Sequence, residues 1–279
     1  MSNNSNNKIF IPYYINKSKR INKLILSGGS TKGIAYIGIL KGLEEYNIIN
    51  NIKTFCGTSI GAIFSFILNI GFNYNELYKI ILDLDINKLC EINNFNNYGF
   101  DDGMKIINFI KSLMDKKKIK YDITFKELFE LTNKKLIICV CNLTLKKSEY
   151  LNYKNNPNMK ILTALRMSFS IPILFCPIKY NDYYYIDGGI MDNLPCNIFK
   201  NKNKILCINI NNDININSLE NYLYSIIDLI SSNKINIECK NIINLNLNIN
   251  ISNFNINKEN KLFIINYGYK IFFNWINLI

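Results

Sequence analysis

Residues 23–48 read KLILSGGSTKGIAYIGILKGLEEYNI, and this stretch carries the pattern that decides the fold. A short apolar run ends at Leu26, a glycine-rich turn follows, and from about Gly33 the apolar residues recur at the spacing of one helical face. A second strand is predicted at about 52–56 and a helix at 60–72. Strands that alternate with helices in this way are typical of a parallel sheet covered by helices on both faces.

The rest of the chain extends this α/β pattern. Helical pieces at 73–131 are expected to cap or flank the sheet, and 134–144 with 146–153 to form a hairpin or sheet extension. We predict a three-layer sandwich with a central, mostly parallel sheet, in a domain over 21–279 that follows a flexible, Asn-rich arm at 1–20. The core motifs of this domain fall in 24–200, and its C-terminal strands and helix in 201–279. Further elements are expected at 158–170, 183–189, 204–210, 218–231, 240–249 and 258–275.

The charge of the chain leaves two interpretations open. At 279 residues with 48% hydrophobic content the chain can bury a sizeable core, and its formal net charge is +12. Such a charge can attract nucleic acid or anionic membranes, but abundant Asn, Ile and Lys with two arginines also fit AT-rich codon usage. We predict no nucleic-acid partner. Cations that could rest on lipid headgroups are Lys17, Lys19, Arg20, Lys23 and the run at 115–120.

The cysteines and the hydropathy pattern favour a cytoplasmic protein. The eight cysteines lie mostly among apolar neighbours, as buried, reduced thiols do. With no C-x-x-C pair and no histidine, no metal site or cofactor is predicted. The first residues lack the basic and then apolar pattern of a signal peptide, and no window holds eighteen uninterrupted apolar residues. Any membrane contact is therefore expected to be peripheral.

The glycine turn SGGSTKG at 27–33 predicts an anion site. It joins a strand to a helix, so free backbone N–H groups and the positive end of the helix dipole meet there. A P-loop would need Ser or Thr after its lysine, and a dinucleotide fingerprint would need glycine in place of Ser30. The other candidate anion is the oxygen of an attacked ester carbonyl, for which the turn would be an oxyanion hole.

The segment GTSIG at 57–61 has the pattern of a nucleophile elbow, with Ser59 between a predicted strand and a predicted helix. Gly57 and Gly61 leave the room that such a tight turn requires. A Ser-His-Asp triad is excluded because the chain contains no histidine, and no S-x-x-K motif begins at the serine. The elbow therefore needs another base.

A carboxylate is the remaining candidate base. In YYYIDGGIMDNLP, Asp187 ends an apolar and aromatic strand and is followed by Gly188 and Gly189. Partial burial would raise the proton affinity of this carboxylate toward that of a general base, and the two glycines let another segment approach. An ordinary turn aspartate before two glycines is the alternative.

These motifs together resemble those of the patatin-like phospholipases. The glycine loop, the G-x-S-x-G serine and the D-G-G aspartate occur in the family's order, and RMSFSIPILFCP, Asn193 with Pro195, and a closing helix with an embedded glycine are also similar. The resemblance covers about 24–275. It implies calcium-independent hydrolysis of fatty acyl esters in phospholipids or related glycerolipids, with phospholipase A activity and peripheral membrane contact.

The resemblance also implies a role for each motif residue. Ser59 would be the nucleophile and Asp187 the base and acid of a catalytic dyad. The loop departs from the family where Ser30 replaces a glycine. If this position requires a positive φ, serine costs about 1 kcal/mol there, but it keeps the backbone N–H that an oxyanion hole needs. The oxyanion hole is assigned to Gly28, Gly29 and Ser30, with supporting motif positions at Lys32, Gly33, Gly57, Gly61, Gly188 and Gly189.

The departure at Ser30 motivates an alternative. A lipid-binding or interaction protein could keep this fold without catalysis. Reaction with a fluorophosphonate distinguishes the two hypotheses because only an activated serine is labelled.

Overall fold

The computed structural model of the protein describes residues 20–90, 94–211, 219–232, 239–247 and 256–278. Within these ranges the chain forms ten β-strands and eight α-helices. The strands are β1 (Lys23–Leu26), β2 (Thr54–Thr58), β3 (Gly99–Asp101), β4 (Lys135–Asn142), β5 (Lys147–Asn152), β6 (Ile173–Phe175), β7 (Ile178–Tyr180), β8 (Tyr183–Asp187), β9 (Ile205–Asn211) and β10 (Ile242–Asn246). The helices are α1 (Ala35–Glu45), α2 (Ile60–Asn69), α3 (Tyr74–Asp83), α4 (Met104–Lys116), α5 (Phe125–Thr132), α6 (Ile161–Ser168), α7 (Leu219–Ser232) and α8 (Lys258–Leu278).

The large sheet is mostly parallel, as predicted. Its order is β10-β9-β1-β2-β4-β8-β7, with β5 paired to β4 outside this path. Each pair of neighbours in the series β10-β9-β1-β2-β4 is parallel, whereas β5 and β8 pair antiparallel with β4, and β7 pairs antiparallel with β8. Helices flank this sheet, which confirms the predicted α/β class.

The central strands are buried because both of their faces are apolar. On β1, Leu24 and Ile25 are at most 1% exposed, and on β2 neither Phe55 nor Cys56 is exposed. A parallel strand covered on both sides by helices reads as a continuous apolar run rather than an alternating one. The core therefore lies on both sides of β1 and β2, which lead into the two motif turns.

Helix α8 packs tightly across α1 through glycines. A methyl group at Gly38 would overlap the carbonyl oxygen of Ile265, and one at Gly268 would overlap the carbonyl oxygen of Ala35. The two helix backbones therefore touch without intervening side chains. The helix that follows the glycine turn is thus held in place by the last described helix of the chain.

Strand β4 brings the ends of β2 and β8 together. It pairs with β2 through residues 135–139 and with β8 through 140–142, while β5 occupies its other edge over 137–142. Thr58, at the end of β2, is opposite Cys139, and Asp187, at the end of β8, is opposite the next residue of β4, Val140. The residues that follow or end these two strands must therefore be neighbours.

A smaller unit covers one side of this junction, as expected for the region at 73–131. This unit, called the cap below, comprises α3, α4 and β3 from that region, together with β6, which pairs with β3 in a two-stranded sheet. The buried guanidinium of Arg166 fastens it to the domain by donating to the carbonyl oxygens of Asp102 at 2.8 Å and Cys176 at 2.9 Å. The cap is thus anchored beside α6, which runs from 161 to 168.

Part of the predicted cationic run at 115–120 is engaged within the protein. Lys117 lies 2.7 Å from a carboxylate oxygen of Glu76, and Lys120 lies 2.6 Å from one of Glu127. Two of its lysines are therefore paired with carboxylates.

Several expectations fall partly outside the described residues. These are the arm at 1–20 apart from Arg20, with its Lys17 and Lys19, and residues 91–93, 218 and 248–249 of the elements predicted at 73–131, 218–231 and 240–249. The predicted final helix is observed and continues to Leu278. In the part of the chain that the structure describes, no helix is long and apolar enough to span a bilayer.

Candidate active site

Ser59 occupies a strained turn between β2 and α2. Its backbone has φ 54° and ψ −124°, a conformation that costs a non-glycine residue free energy and is characteristic of a nucleophile elbow. A methyl group at Gly57 would overlap the carbonyl of Gly61, and one at Gly61 would overlap the carbonyl oxygen of Leu26. Both predicted supporting glycines are therefore required sterically.

A serine from α6 fixes the elbow. The Ser59 N–H donates to Ser168 Oγ at 2.9 Å, and the Ser168 hydroxyl donates to the carbonyl oxygen of Cys139 at 2.7 Å. This bridge links the elbow to β4. The sequence indicated only a run of small residues here, because which small residue meets the elbow depends on how α6 packs.

Asp187 is buried at the end of β8, with 1% of its surface exposed. Its Oδ1 accepts the N–H of Gly189 at 2.7 Å, and its own N–H donates to the carbonyl oxygen of Ser170 at 2.9 Å. Its Oδ2 is buried and has no hydrogen-bond partner among the described residues. One carboxylate oxygen is thus held in place and the other is available to accept a proton.

The environment of Asp187 suits proton exchange near neutral pH. Burial raises its pKa to about 7, although the Gly189 N–H, which donates to Oδ1, and the neighbouring Ser59 hydroxyl, which does not complete a hydrogen bond to Oδ2, both oppose the rise. The structure therefore brings the two predicted dyad residues together. A carboxylate with this pKa can both accept a proton and return it during a reaction at neutral pH.

The glycine loop lies beside the elbow and is held rigidly. A methyl group at Gly28 would lie 3.2 Å from Ser59 Cβ. The Tyr36 hydroxyl donates to the carbonyl oxygen of Ser27 at 2.6 Å, and the N–H of Ile210 donates to Ser27 Oγ at 2.8 Å. These bonds tie the start of the loop to α1 and β9.

The three N–H groups predicted to form the oxyanion hole are not equivalent. The Gly28 N–H already donates to Asn193, at 3.0 Å to Oδ1 and 3.3 Å to the backbone oxygen. No group among the described residues accepts the Gly29 N–H. Ser30 has φ 51°, so its predicted cost of about 1 kcal/mol applies. The role of Gly28 remains a prediction that requires Asn193 to move.

The other predicted motif residues shape these turns. Lys32 is half-buried in the short helical turn at 30–34. Glycine at Gly33 avoids Ile60, the first residue of α2, and glycine at Gly188 avoids the carbonyl of Cys139.

Asn193 connects the glycine loop to the aspartate turn. Its Oδ1 accepts the Gly28 N–H. The same oxygen lies close to Gly189, where an added methyl group would be 3.1 Å away. Asn193→Ala is expected to lower kcat/KM for ester hydrolysis by about tenfold, because the order that Asn193 gives to the glycine loop counts for more than the release of the Gly28 N–H. Steady-state kinetics on a soluble ester will measure this.

Two further variants make this prediction specific. Asn193→Asp keeps the acceptor but places a negative charge near Asp187, so the pH at which activity is half-maximal should rise. Asn201→Ala, at an exposed asparagine, is the matched control and should leave the kinetics unchanged. Unchanged kinetics in both Asn193 variants would contradict the positioning role.

An apolar cavity of about 150 Å³ extends from the serine under the cap. Ser59, Ser30 and Thr31 supply hydroxyl groups to its lining, and the remainder is almost entirely aliphatic and aromatic. The apolar side chains come mainly from α2, α3 and α4 and include Ile63, Phe64, Ile80, Ile81, Ile106 and Phe109. Such a cavity matches a hydrocarbon chain whose polar end is at the serine.

A second buried carboxylate, which the sequence did not single out, lies beneath the aspartate turn. Asp192 accepts the Tyr150 hydroxyl at 2.7 Å, and burial raises the pKa of its carboxyl. Its backbone oxygen accepts the Thr58 hydroxyl at 3.1 Å. Asp192 therefore connects β2 and β5 to the aspartate turn, and it is not one of the residues that line the cavity described above.

Comparisons with known proteins show which family this chain resembles. The family model for Patatin-like phospholipase matches residues 24–200, which include both motif turns and the aspartate. "Probable lipid hydrolase 463L" of Invertebrate iridescent virus 6 is 39% identical over 188 residues, covering 65% of this chain and 64% of the viral protein. "Triacylglycerol lipase ptl3" of Schizosaccharomyces pombe is 29% identical over 164 residues, covering 54% of this chain and 33% of the lipase.

The fold likeness extends further along the chain. The crystal structure of VipD from Legionella pneumophila superposes with a TM-score of 0.66 at 19% identity, covering 93% of this chain and 67% of that one. The chain spans just under two thirds of the viral lipid hydrolase. With its family match over more than half of its length and its mostly parallel, helix-flanked sheet, this chain belongs to the patatin-like phospholipase family.

Proposed function

We propose that the protein is a lipid acyl hydrolase of the phospholipase A type that uses Ser59 and Asp187 as a catalytic dyad. The observation that carries this proposal is the buried Asp187 carboxylate, with a pKa of about 7 and a free Oδ2, beside a serine in an elbow conformation. In a chain without histidine, it supplies the base that the serine needs.

In the first half of the reaction, Ser59 Oγ attacks the acyl carbonyl carbon while Asp187 accepts the hydroxyl proton. The carbonyl oxygen becomes an oxyanion, which the N–H groups of the glycine loop stabilise; one such donor contributes about 3 kcal/mol. The tetrahedral intermediate collapses, Asp187 returns the proton to the departing alcohol oxygen, and an acyl-serine remains.

In the second half, Asp187 accepts a proton from a water molecule whose oxygen attacks the acyl-serine. The ester bond to Ser59 Oγ breaks, the proton passes to Oγ, and a fatty acid is released. The same carboxylate thus acts as base and acid twice, which its pKa near neutrality favours.

The apolar cavity supports a long-chain acyl substrate. Ile80→Trp on α3 replaces an aliphatic side chain of the cavity lining with a bulky indole ring, so hydrolysis of long-chain esters is expected to fall about tenfold while that of butyrate esters is retained. Lys79→Trp, on the exposed side of the same helix, is the matched control. Equal loss on short and long esters would indicate a general defect and contradict an acyl-chain role.

The direct test is to incubate the purified protein with phosphatidylcholine, lysophosphatidylcholine and triacylglycerol in the presence of EDTA. Release of fatty acid from phosphatidylcholine, identified by mass spectrometry, is the expected result, and its retention in EDTA would support calcium independence. Parallel labelling of Ser59 by a fluorophosphonate is expected. Folded protein that is neither labelled nor active would instead support a non-catalytic lipid-binding protein.

A further inference from the structure

A second apolar site lies outside the cap, as an open groove of about 740 Å³. It is bounded by the loop before β3, the β7–β8 hairpin and helix α7. Its lining is almost entirely hydrophobic and includes Phe95, Tyr98, Ile171, Ile186, Ile190 and Ile227. Exposed apolar areas of this kind mark ligand grooves or interfaces with membranes and proteins.

The groove is continuous with the candidate active site. Ile171 lines both the groove and the cavity that begins at Ser59. Ile190 follows Gly188 and Gly189 directly, and Ile227 of α7 would lie 3.3 Å from a methyl group at Gly189. A lipid lying in the groove is therefore beside the catalytic aspartate and next to the acyl cavity.

Helix α7 presents apolar side chains to solvent as well as to the core. Leu223 and Ile227 are buried, yet Leu219, Tyr222, Ile226 and Leu229 are exposed on one side of the helix, and Leu229 is 64% exposed. A surface helix of a water-soluble domain normally turns polar residues outward. This outward face is what a helix lying in a membrane interface presents.

Ile173, at the rim of the groove, is held in an unfavourable conformation. It is β-branched, has φ 73° and is 46% exposed. A β-branched residue is a genuine outlier at positive φ, and neither burial nor a glycine-like turn explains this one. In this strained conformation the apolar side chain of Ile173 lies on the surface next to the groove.

The surrounding residues suit the headgroup region of a membrane. Tyr183 and Tyr184 are partly exposed on the β7–β8 hairpin, and Lys179 Nζ lies 5.9 Å from the centre of the Tyr184 ring. The adjoining β4–β5 turn adds the exposed Lys146. Lys147 at the start of β5 lies 3.4 Å from Glu149, and the hairpin also carries the acidic Asp182. Tyrosine and lysine side chains combine an apolar body with a polar end, as residues at the membrane interface do.

We propose that Phe95, Tyr98, Ile173, Tyr184, Ile226 and Leu229 form a docking face that inserts into the surface of a lipid bilayer. This inference rests on the proposed lipid hydrolysis and names the surface through which substrate arrives. A bilayer fits better than a protein partner because the groove adjoins the acyl cavity. A protein seated on it would cover that approach.

The test measures binding to sucrose-loaded phosphatidylcholine vesicles by sedimentation, with Ser59→Ala in every variant so that lipid is not consumed. The double variant Ile226→Ser/Leu229→Ser is expected to weaken binding by about tenfold or more, because two exposed apolar side chains no longer enter the bilayer. Leu131→Ser, at an exposed leucine that lines neither the groove nor the cavity, should bind as the parent does.

Ile173→Asn separates binding from folding. Asparagine tolerates positive φ better than isoleucine, so the melting temperature should stay equal or rise while vesicle binding falls. Binding to the neutral vesicles should persist in 0.5 M NaCl, since insertion of apolar groups does not depend on charge.

Three outcomes would overturn the docking face. The first is vesicle binding that these substitutions leave unaltered, and the second is loss of binding in 0.5 M NaCl. The third is a fall in the melting temperature of the serine variants like that of buried substitutions, which would show that another part of the chain covers the face. Light scattering that finds a dimer broken by the serine variants, with vesicle binding unchanged, would assign the face to a second copy. Because these assays use an inactive background, they decide docking even if Ser59 proves not to be a nucleophile.

Discussion

Ser59→Ala is expected to lower the rate of ester hydrolysis by about 10⁴-fold or more, because no other group can form the acyl intermediate. Asp187→Asn should cause a loss of similar size by removing the proton acceptor. Because the two residues act as one unit, the double variant should be little worse than either single variant. Turnover of a chromogenic ester by each purified variant will measure these effects.

The elbow conformation calls for a second substitution at the same position. Alanine at φ 54° keeps the backbone strain, whereas Ser59→Gly relieves it, so the glycine variant should be equally inactive but more stable than the alanine variant. Substantial activity in a folded Ser59 variant, or fluorophosphonate labelling elsewhere in the chain, would disprove the dyad.

The pH dependence of activity is the second large effect expected. The attack requires ionised Asp187, and its pKa is raised to about 7 by burial, so kcat/KM should increase with pH and reach half its maximum near pH 7. Asp122→Asn, which removes an exposed carboxylate, is the charge-matched control and should keep the parent's profile. A profile that is flat from pH 5 to 9 would contradict Asp187 as the base.

Stability should change with pH in the opposite direction. An aspartate ionises near 3.9 in an unfolded chain, and Asp187 does so at about 7 in the folded protein, so folding favours the protonated form. The stabilising contribution of Asp187 is therefore fully present below about pH 4 and is lost as the pH rises through about 7. The free energy of unfolding then falls by an amount on the order of 4 kcal/mol.

Asp187→Asn should consequently gain stability relative to the parent as the pH is raised from 4 to 8, while remaining inactive. Urea unfolding at several pH values will measure this difference in the free energy of unfolding. A difference that does not vary with pH would show that the carboxylate is not desolvated in the folded protein.

Much of the site could be predicted from the sequence because its local rules are strict. A serine at an elbow needs small neighbours, which Gly57 and Gly61 supply, and an apolar strand before Asp187 implies a buried carboxylate. Ser30 has the positive φ that was considered there because the family has glycine at that place. The alternating strands and helices likewise predicted the parallel sheet.

The remaining features depend on contacts between distant segments. The bond from the Ser59 N–H to Ser168 spans 109 residues, and the one from Gly28 to Asn193 spans 165. The sequence pattern gives no indication that Asn193 occupies a predicted oxyanion donor or that Asp192 meets Tyr150. The exposed face of α7 was also not foreseen, because its apolar spacing fits a buried helix equally well.

The pairing of β4 with two strands along one edge limits how this protein can vary during evolution. Loops around the sheet can lengthen or shorten with little consequence for catalysis. A single insertion or deletion between Cys139 and Val140 would instead shift β8 against β2 by one residue and turn Asp187 to the opposite face of the sheet. The length of β4 therefore sets how Ser59 and Asp187 are placed relative to each other.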